Sequence, residues 1–282
     1  MNAGDLPPLR IETCIPERRE PGTMVFNVRP GGGAELIGAD GWFIGVDREG
    51  NFPLNLKFDD PAQDSCALAN GNIMFSLTGA GLILEVTRSG EAVRQWHIAG
   101  KWHDKIPPAG SIEIDAPLTH HRINMFPNGN LLLMTAEVRE IADWPMRDDD
   151  PAAPRGTARV VGDIILEVSP EGDILNRWVM LDMLDPHRLS YGGCSAYWHQ
   201  RGIPDSNDWC HANAVFHDAS DDTIMVSFRT QDCIVKFSRE TGHIKWILGD
   251  PGNWRAPWSD KLLTPMGDLA WQYHQHDCSV TP

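Results

Sequence analysis

The chain has 282 residues and a formal charge of −15, from 24 Lys and Arg against 39 Asp and Glu. That length suffices for one large domain or two small ones with a sizeable core. The charge, with no basic block anywhere, argues against nucleic-acid binding through phosphate neutralisation and requires a local cationic cluster for any anionic substrate, while no run of about 18 apolar residues suggests a membrane-crossing helix.

The first residues, "MNAGDLPPLRIETCIPERREPG", lack the basic-then-apolar pattern of a secretory signal, so a cytoplasmic location is the default unless the chain starts upstream. Residues 1–33 read as an N-terminal extension with the first strands, and 34–282 as one repeat domain. The first hairpin is "FIGVDREGNFPLNL" (43–56): a short apolar strand, a Gly-containing turn and a second strand. A hairpin at "ALANGNIMF" (67–75) precedes "ILEVTRSGEAVRQW" (83–96). The same order recurs with "MFPNGNLLLM" (125–134) before "ILEVSPEGDILNRW" (165–178), and with "VFHDASDDTIMV" (215–226) before "IVKFSRETGHIKW" (234–246). Asn-Gly suggests a type I′ turn in the first two upstream hairpins, and the third has a longer acidic turn instead. Segments 99–119 and 181–207 read as surface connectors suited to a lid or specificity region, as does the insertion 139–159. Six cysteines show no CxxC pair and dictate no disulfide pairing.

Two successive hairpins make a four-stranded antiparallel sheet, and several such sheets in series predict an all-β chain of β-propeller blades. A sandwich of irregular hairpins is the alternative, but it has no need for the same Gly and Trp at the same offsets. The final "HDCSVTP" stops at the position of Pro127, so a strand without its hairpin partner and an incomplete propeller are expected.

Aligned at the turns, three histidines occupy one repeat position. His121 lies six residues before Pro127, His276 six before Pro282, and His211 six before His217; the earliest copy has Gln63 there. If the first strand of each blade lines a central channel, these three converge on one small volume. The run "DWCHANAV" (208–215) reads as a buried strand, with Asn213 two along from His211 and on the same face. Cross-strand geometry places Arg229 opposite His211, where the other copies have Thr78 and Ala136. Packing histidines inherited with the repeat would give the same alignment. A three-histidine zinc site is a rival, but a fixed cation beside it would repel the metal, and no metal is expected. His, Arg and Asn together suit an anion with several oxygens. His103 and His199, in the connectors, are secondary candidates for substrate contact.

At "HHRINMFPNGN" (120–130), "DWCHANAVFHDASDDTIMVSFRTQ" (208–231), "IKWILG" (244–249) and "QHD" (275–277), the sequence resembles the bacterial arylsulfotransferase family. The resemblance implies a six-bladed propeller that moves a sulfuryl group from an aryl sulfate ester to a phenol through a covalent histidine intermediate. It implies no cofactor and small-molecule partners only, without nucleic acid or membrane. By position, His276 corresponds to the nucleophile; His211, Arg229 and Asn213 would hold the sulfuryl oxygens, and His121 would complete the site. A non-catalytic binding propeller and a metal-dependent propeller hydrolase or lactonase are the competing functions.

Overall fold

A computed structural model describes residues 12–18, 20–28, 40–60, 62–150 and 152–280. Two compact units emerge, Met1–Ile123 and Asn124–Pro282. Of the segment 1–33 read as an extension, residues 1–11, 19 and 29–33 lie outside the described residues, as does the Pro282 used to align His276.

In the first unit, β1 (Met24–Val28), β2 (Gly41–Val46) and β3 (Leu54–Phe58) form a three-stranded antiparallel sheet. A second sheet runs β4 (Ala62–Ala67), β5 (Ile73–Leu77), β6 (Leu82–Val86) and β7 (Ala92–Ile98) as an antiparallel meander. One helical turn, α1 (Ala99–Trp102), then leads to β8 (Ile112–Ile114), which pairs with β7 in parallel. Alternate residues of these strands point inward, and Phe43, Leu54, Leu56, Phe75, Leu84 and Val86 form a shared core. Within it Phe43 and Phe75 stack with centroids 4.9 Å apart.

The second unit contains two further sheets. One is β9 (Asn124–Met125), β10 (Leu131–Pro145), β11 (Arg155–Val168) and β12 (Ile174–Val179). After the single turn α2 (Met180–Met183), β13 (Asn207–Asp208) adds to β11 in parallel. The other sheet is β14 (Ala212–Asp218), β15 (Thr223–Phe228), β16 (Cys233–Ser238) and β17 (Ile244–Gly249), again a meander. Leu132, Met134, Ile165 and Trp178 pack with Val215, Val226, Phe237 and Ile247 in one core. The repeat is thus realised as predicted: the fold is all-β, of four-stranded antiparallel blades of the propeller kind.

Two local expectations need correction. Among the described residues, only 146–150 and 152–154 of the 139–159 insertion fall outside strands, because β10 and β11 pair from Leu131↔Val168 out to Pro145↔Arg155, with one irregularity between Ile141 and Trp144. Its charges and prolines suggest a connector, yet burial alternates along residues 137–142 as a strand requires, and Trp144 is fully buried with its indole N–H on Pro186 O at 2.9 Å. The Asn-Gly turns are not type I′ either. That type needs positive φ at both central residues, whereas here Gly71 (φ 84) and Gly129 (φ 89) are left-handed and the preceding asparagines are not. Gly71 N–H bonds Leu68 O and Leu68 N–H bonds Asn72 O, the pattern of a type I turn closed by a glycine bulge.

The turn asparagines explain the Glu of the "ILEV" motif. Glu85 accepts from Asn70 at 3.0 Å and Asn72 at 2.7 Å. Glu167 accepts from Asn130 at 2.6 Å, Asn176 at 2.9 Å and Arg239 Nε at 2.9 Å. In the third copy Lys236 replaces the Glu and donates to Asp218 of the acidic turn at 2.7 Å, with Asp221 at 3.0 Å.

Candidate functional site

His211 stands just before β14, not inside a strand, and its backbone is left-handed at φ 46. Such a conformation is uncommon for a residue with a side chain and persists only when its surroundings hold it. Here Arg229 N–H donates to His211 O at 3.1 Å, and Asp163 Oδ2 accepts the N–H of Ala212 at 2.6 Å. The same oxygen accepts the Cys210 S–H at 2.9 Å. Burial, with the Asp163 charge beside it, pushes the Cys210 thiol well above its ordinary pKa, so this cysteine serves as a neutral donor.

The cross-strand expectation for Arg229 holds at the backbone: Ala212 pairs with Phe228, and His211 with Arg229 one step beyond. Arg229 begins a 3-10 turn, Arg229–Gln231, and is half-buried. Among the described residues its guanidinium has no ion pair or side-chain hydrogen bond. Gly192 approaches so closely that a Cβ there would sit 3.6 Å from Arg229 Nη1 and 3.9 Å from His274 Nε2.

Asn213 departs from the sequence reading. A bulge between Ala212 and Ala214 leaves it without a strand partner, so simple alternation from His211 fails. Its Nδ2 donates to Gln275 O at 2.7 Å, tying β14 to the segment that carries His276. Gln275 in turn donates to Phe228 O at 3.0 Å and Cys233 O at 2.8 Å.

His276 is exposed, and one of its ring nitrogens lies within 4.8 Å of one of His211. The left-handed residue of its segment is His274 (φ 51), whose ring stacks on Tyr191 and bonds Tyr191 O at 2.9 Å. His274 thus shares the backbone state of His211, while His276 supplies the nearby nitrogen. His121, in the first unit, is also left-handed (φ 51), with its Nδ1 2.9 Å from that of His120.

Each secondary candidate has a local partner. His103 is exposed and lies 2.8 Å from Asp104, and His199 Nε2 lies 2.8 Å from Ser206 O. What sequence reasoning missed is the support around the site. Asp208 touches the His211 ring at 2.6 Å, and Tyr197 contacts it edge-on with centroids 4.3 Å apart. Asp148, at the tip of the long hairpin, accepts Gly192 N–H at 2.7 Å and Cys194 N–H at 3.2 Å, holding the glycine over Arg229. A carboxylate three residues before the key histidine was the available signal for Asp208; nothing local marks Asp148.

A left-handed histidine, a second imidazole within reach and an arginine lacking a counter-ion can bind a tetrahedral anion and offer it a nitrogen nucleophile. The family model "Arylsulfotransferase (ASST)" matches residues 39–282. The arylsulfate sulfotransferase AssT of Escherichia coli O6:H1 is 29% identical over 175 residues, which are 54% of this chain and 27% of that protein. The enzyme of the same name from Lelliottia amnigena is 28% identical over 130 residues, 38% of this chain and 21% of that protein. The matched part therefore spans under a third of either relative. Among solved structures, a Bacteroides caccae protein of unknown function aligns with a TM-score of 0.42 at 15% identity, covering 74% of this chain and 56% of its own. On the family match across most of its length, this chain belongs to the arylsulfotransferase family.

Proposed function

We propose that the protein transfers a sulfuryl group from an aryl sulfate to a phenol, with His276 as the nucleophile and ping-pong kinetics. The observation that carries this reading is Arg229, an arginine without a counter-ion among the described residues, paired through its backbone with a left-handed histidine whose ring lies within 4.8 Å of His276.

In the first half-reaction a His276 ring nitrogen attacks sulfur. The S–O bond breaks with its electron pair going to the phenolate, leaving an N-sulfo imidazolium on the protein. Charge in such loose transition states sits on the equatorial and leaving oxygens, by analogy with phosphoryl transfer. Arg229 supplies a fixed planar fork to those oxygens, and His211, in its imidazolium form, donates to an oxygen or to the departing phenolate. A phenol, with a pKa of about 10, leaves as an anion with modest help. In the second half-reaction an acceptor phenol gives up its proton and takes the sulfuryl group, and the S–N electron pair returns to His276. His211, neutral at that point, is the base for that step. Asn213 contributes by tying β14 to the His276 segment.

The test is an assay of the full-length protein with a chromogenic aryl sulfate, with and without a phenol acceptor. Acceptor-dependent release of the chromophore, with the donor's phenol leaving before the acceptor reacts, is the expected result. Labelled donor without acceptor should leave an acid-labile adduct on His276; label on another histidine would overturn the nucleophile assignment.

A further inference from the structure

The His211 ring is braced by a buried carboxylate. Its Nδ1 lies 2.6 Å from Asp208 Oδ2, with the two side chains 6% and 1% exposed. The other carboxylate oxygen, Oδ1, accepts the Trp198 indole N–H at 2.7 Å, and Ser195 Oγ lies 3.4 Å from Oδ2. An indole N–H can only donate and a carboxylate only accept, so Oδ1 is committed to Trp198 and Oδ2 faces the imidazole as an acceptor. That arrangement puts the ring proton of neutral His211 on Nδ1 and makes Nε2 its lone-pair nitrogen.

Asp208 is itself firmly placed. It pairs with Val161 through β13, and its carbonyl accepts the Thr230 hydroxyl at 3.0 Å. Trp198 and Ser195 belong to the 181–207 segment, so that stretch supplies part of the brace behind His211. The packing is closed by Tyr197, whose ring meets the imidazole edge-on.

We propose that Asp208 is a positioning residue for sulfuryl transfer: it fixes the tautomer and orientation of His211, with Trp198 holding the carboxylate in place. This rests on the function proposed above, because it gives His211 the nitrogen state needed to take the acceptor's proton. The geometry predicts a specific consequence for Asp208→Asn. If the new amide keeps its oxygen on Trp198, its NH2 faces the ring, and a donor there moves the imidazole proton to Nε2.

The experiment combines NMR and kinetics on the full chain. With histidine labelled in 13C and 15N, and the His211 signals identified by their loss in His211→Gln, the wild type should show the Nδ1–H tautomer and Asp208→Asn the Nε2–H tautomer. Turnover of a chromogenic aryl sulfate should fall about 10²–10⁴-fold in kcat for Asp208→Asn, by analogy with other carboxylate-oriented histidines, with KM within about threefold of wild type. Asp208→Glu should recover part of kcat. A wild-type Nε2–H tautomer, an unchanged tautomer in Asp208→Asn, or a kcat loss of only a few-fold would each overturn the proposal. A wild type that transfers nothing would instead defeat the functional reading, and the tautomer measurement would still decide whether Asp208 sets the state of His211.

Discussion

The blades β4–β7 and β14–β17 share a meander and even a bulge at the same place, between Ala62 and Ser65 in one and Ala212 and Ala214 in the other. They differ in polar residues at both ends of the first hairpin. At the turn end, the Asn72–Glu85 hydrogen bond of one blade becomes the Asp218–Lys236 ion pair of the other. Both members of the pair change together, so the polar groups remain satisfied. At the open end, Thr78, next to Leu77, gives way to Arg229, next to Phe228, and here the exchange is not compensated. The arginine gains no counter-ion among the described residues, although the chain is strongly acidic overall. Folding alone gives no reason to keep such a cation half-buried. Paired substitutions preserve the blade; the unpaired one is what the proposed function uses.

Exchanging the open-end residues should have the largest effect. His276→Ala should abolish transfer, since it removes the covalent path. Arg229→Thr, which installs the residue of the first blade, and His211→Gln should leave a residual rate reduced about 10²–10³-fold for each oxygen-stabilising group lost. Thr78→Arg in the first blade should leave the rate unchanged. Initial-rate measurements with an aryl sulfate donor check all four, and near wild-type transfer in Arg229→Thr would break the contrast between the blades.

The repeat made most of this legible in the sequence. Gly and Trp at constant offsets gave the hairpins, because turn geometry and core packing impose the same residues in every copy. The pairing of His211 with Arg229 followed from counting about Ser220, although next to the turn the ladder runs one residue off that count, as in His217↔Ile224; the bulge between Ala212 and Ala214 takes up the difference. What escaped was whatever depends on contacts between distant segments. Asp148 is 44 residues from the Gly192 it holds, and no local pattern encodes that. The bulge at Asn213 escaped for a different reason: alternation assumes one residue per ladder step, and an inserted residue is invisible until partners are known.

A smaller effect separates the buried acids of the turn end. Glu167 carries Arg239 as well as two asparagines, whereas Glu85 holds asparagines only. Burial of Glu167 opposes its charged form, but the bonds from Arg239, Asn130 and Asn176 outweigh it and lower its pKa. Glu167→Gln removes one of the two carboxylates on Arg239, leaving Asp222 at 3.3 Å, and should cost about 2 kcal/mol of unfolding free energy, less than a fully broken buried pair because Arg239 keeps that partner and is 25% exposed. Glu85→Gln replaces neutral-donor bonds and should cost about 1 kcal/mol. Denaturant titrations compare the two, and equal losses would mean that the arginine adds nothing.

The smallest effect is the acid response of the charge-swapped turn. The hydrogen bond from the Lys236 ammonium, followed by that from Ser220, holds the Asp218 carboxyl at about 2, below its ordinary 3.8. A carboxylate with a lowered folded-state pKa stabilises the fold above its unfolded value, and that stabilisation is lost as pH falls toward the folded one. For Asp218 the window runs from about pH 4 down to about pH 2. Asp218→Asn should therefore lower the unfolding free energy at pH 7, on the order of 1 kcal/mol once solvent screening of the partly accessible pair is counted, and with it the melting temperature. The gap to wild type should then close as pH drops through that window. A gap of constant size from pH 7 to pH 2 would mean that the turn is held by its shape, and that the Asp218–Lys236 charges do not replace the Asn72–Glu85 bond in energy as they do in geometry.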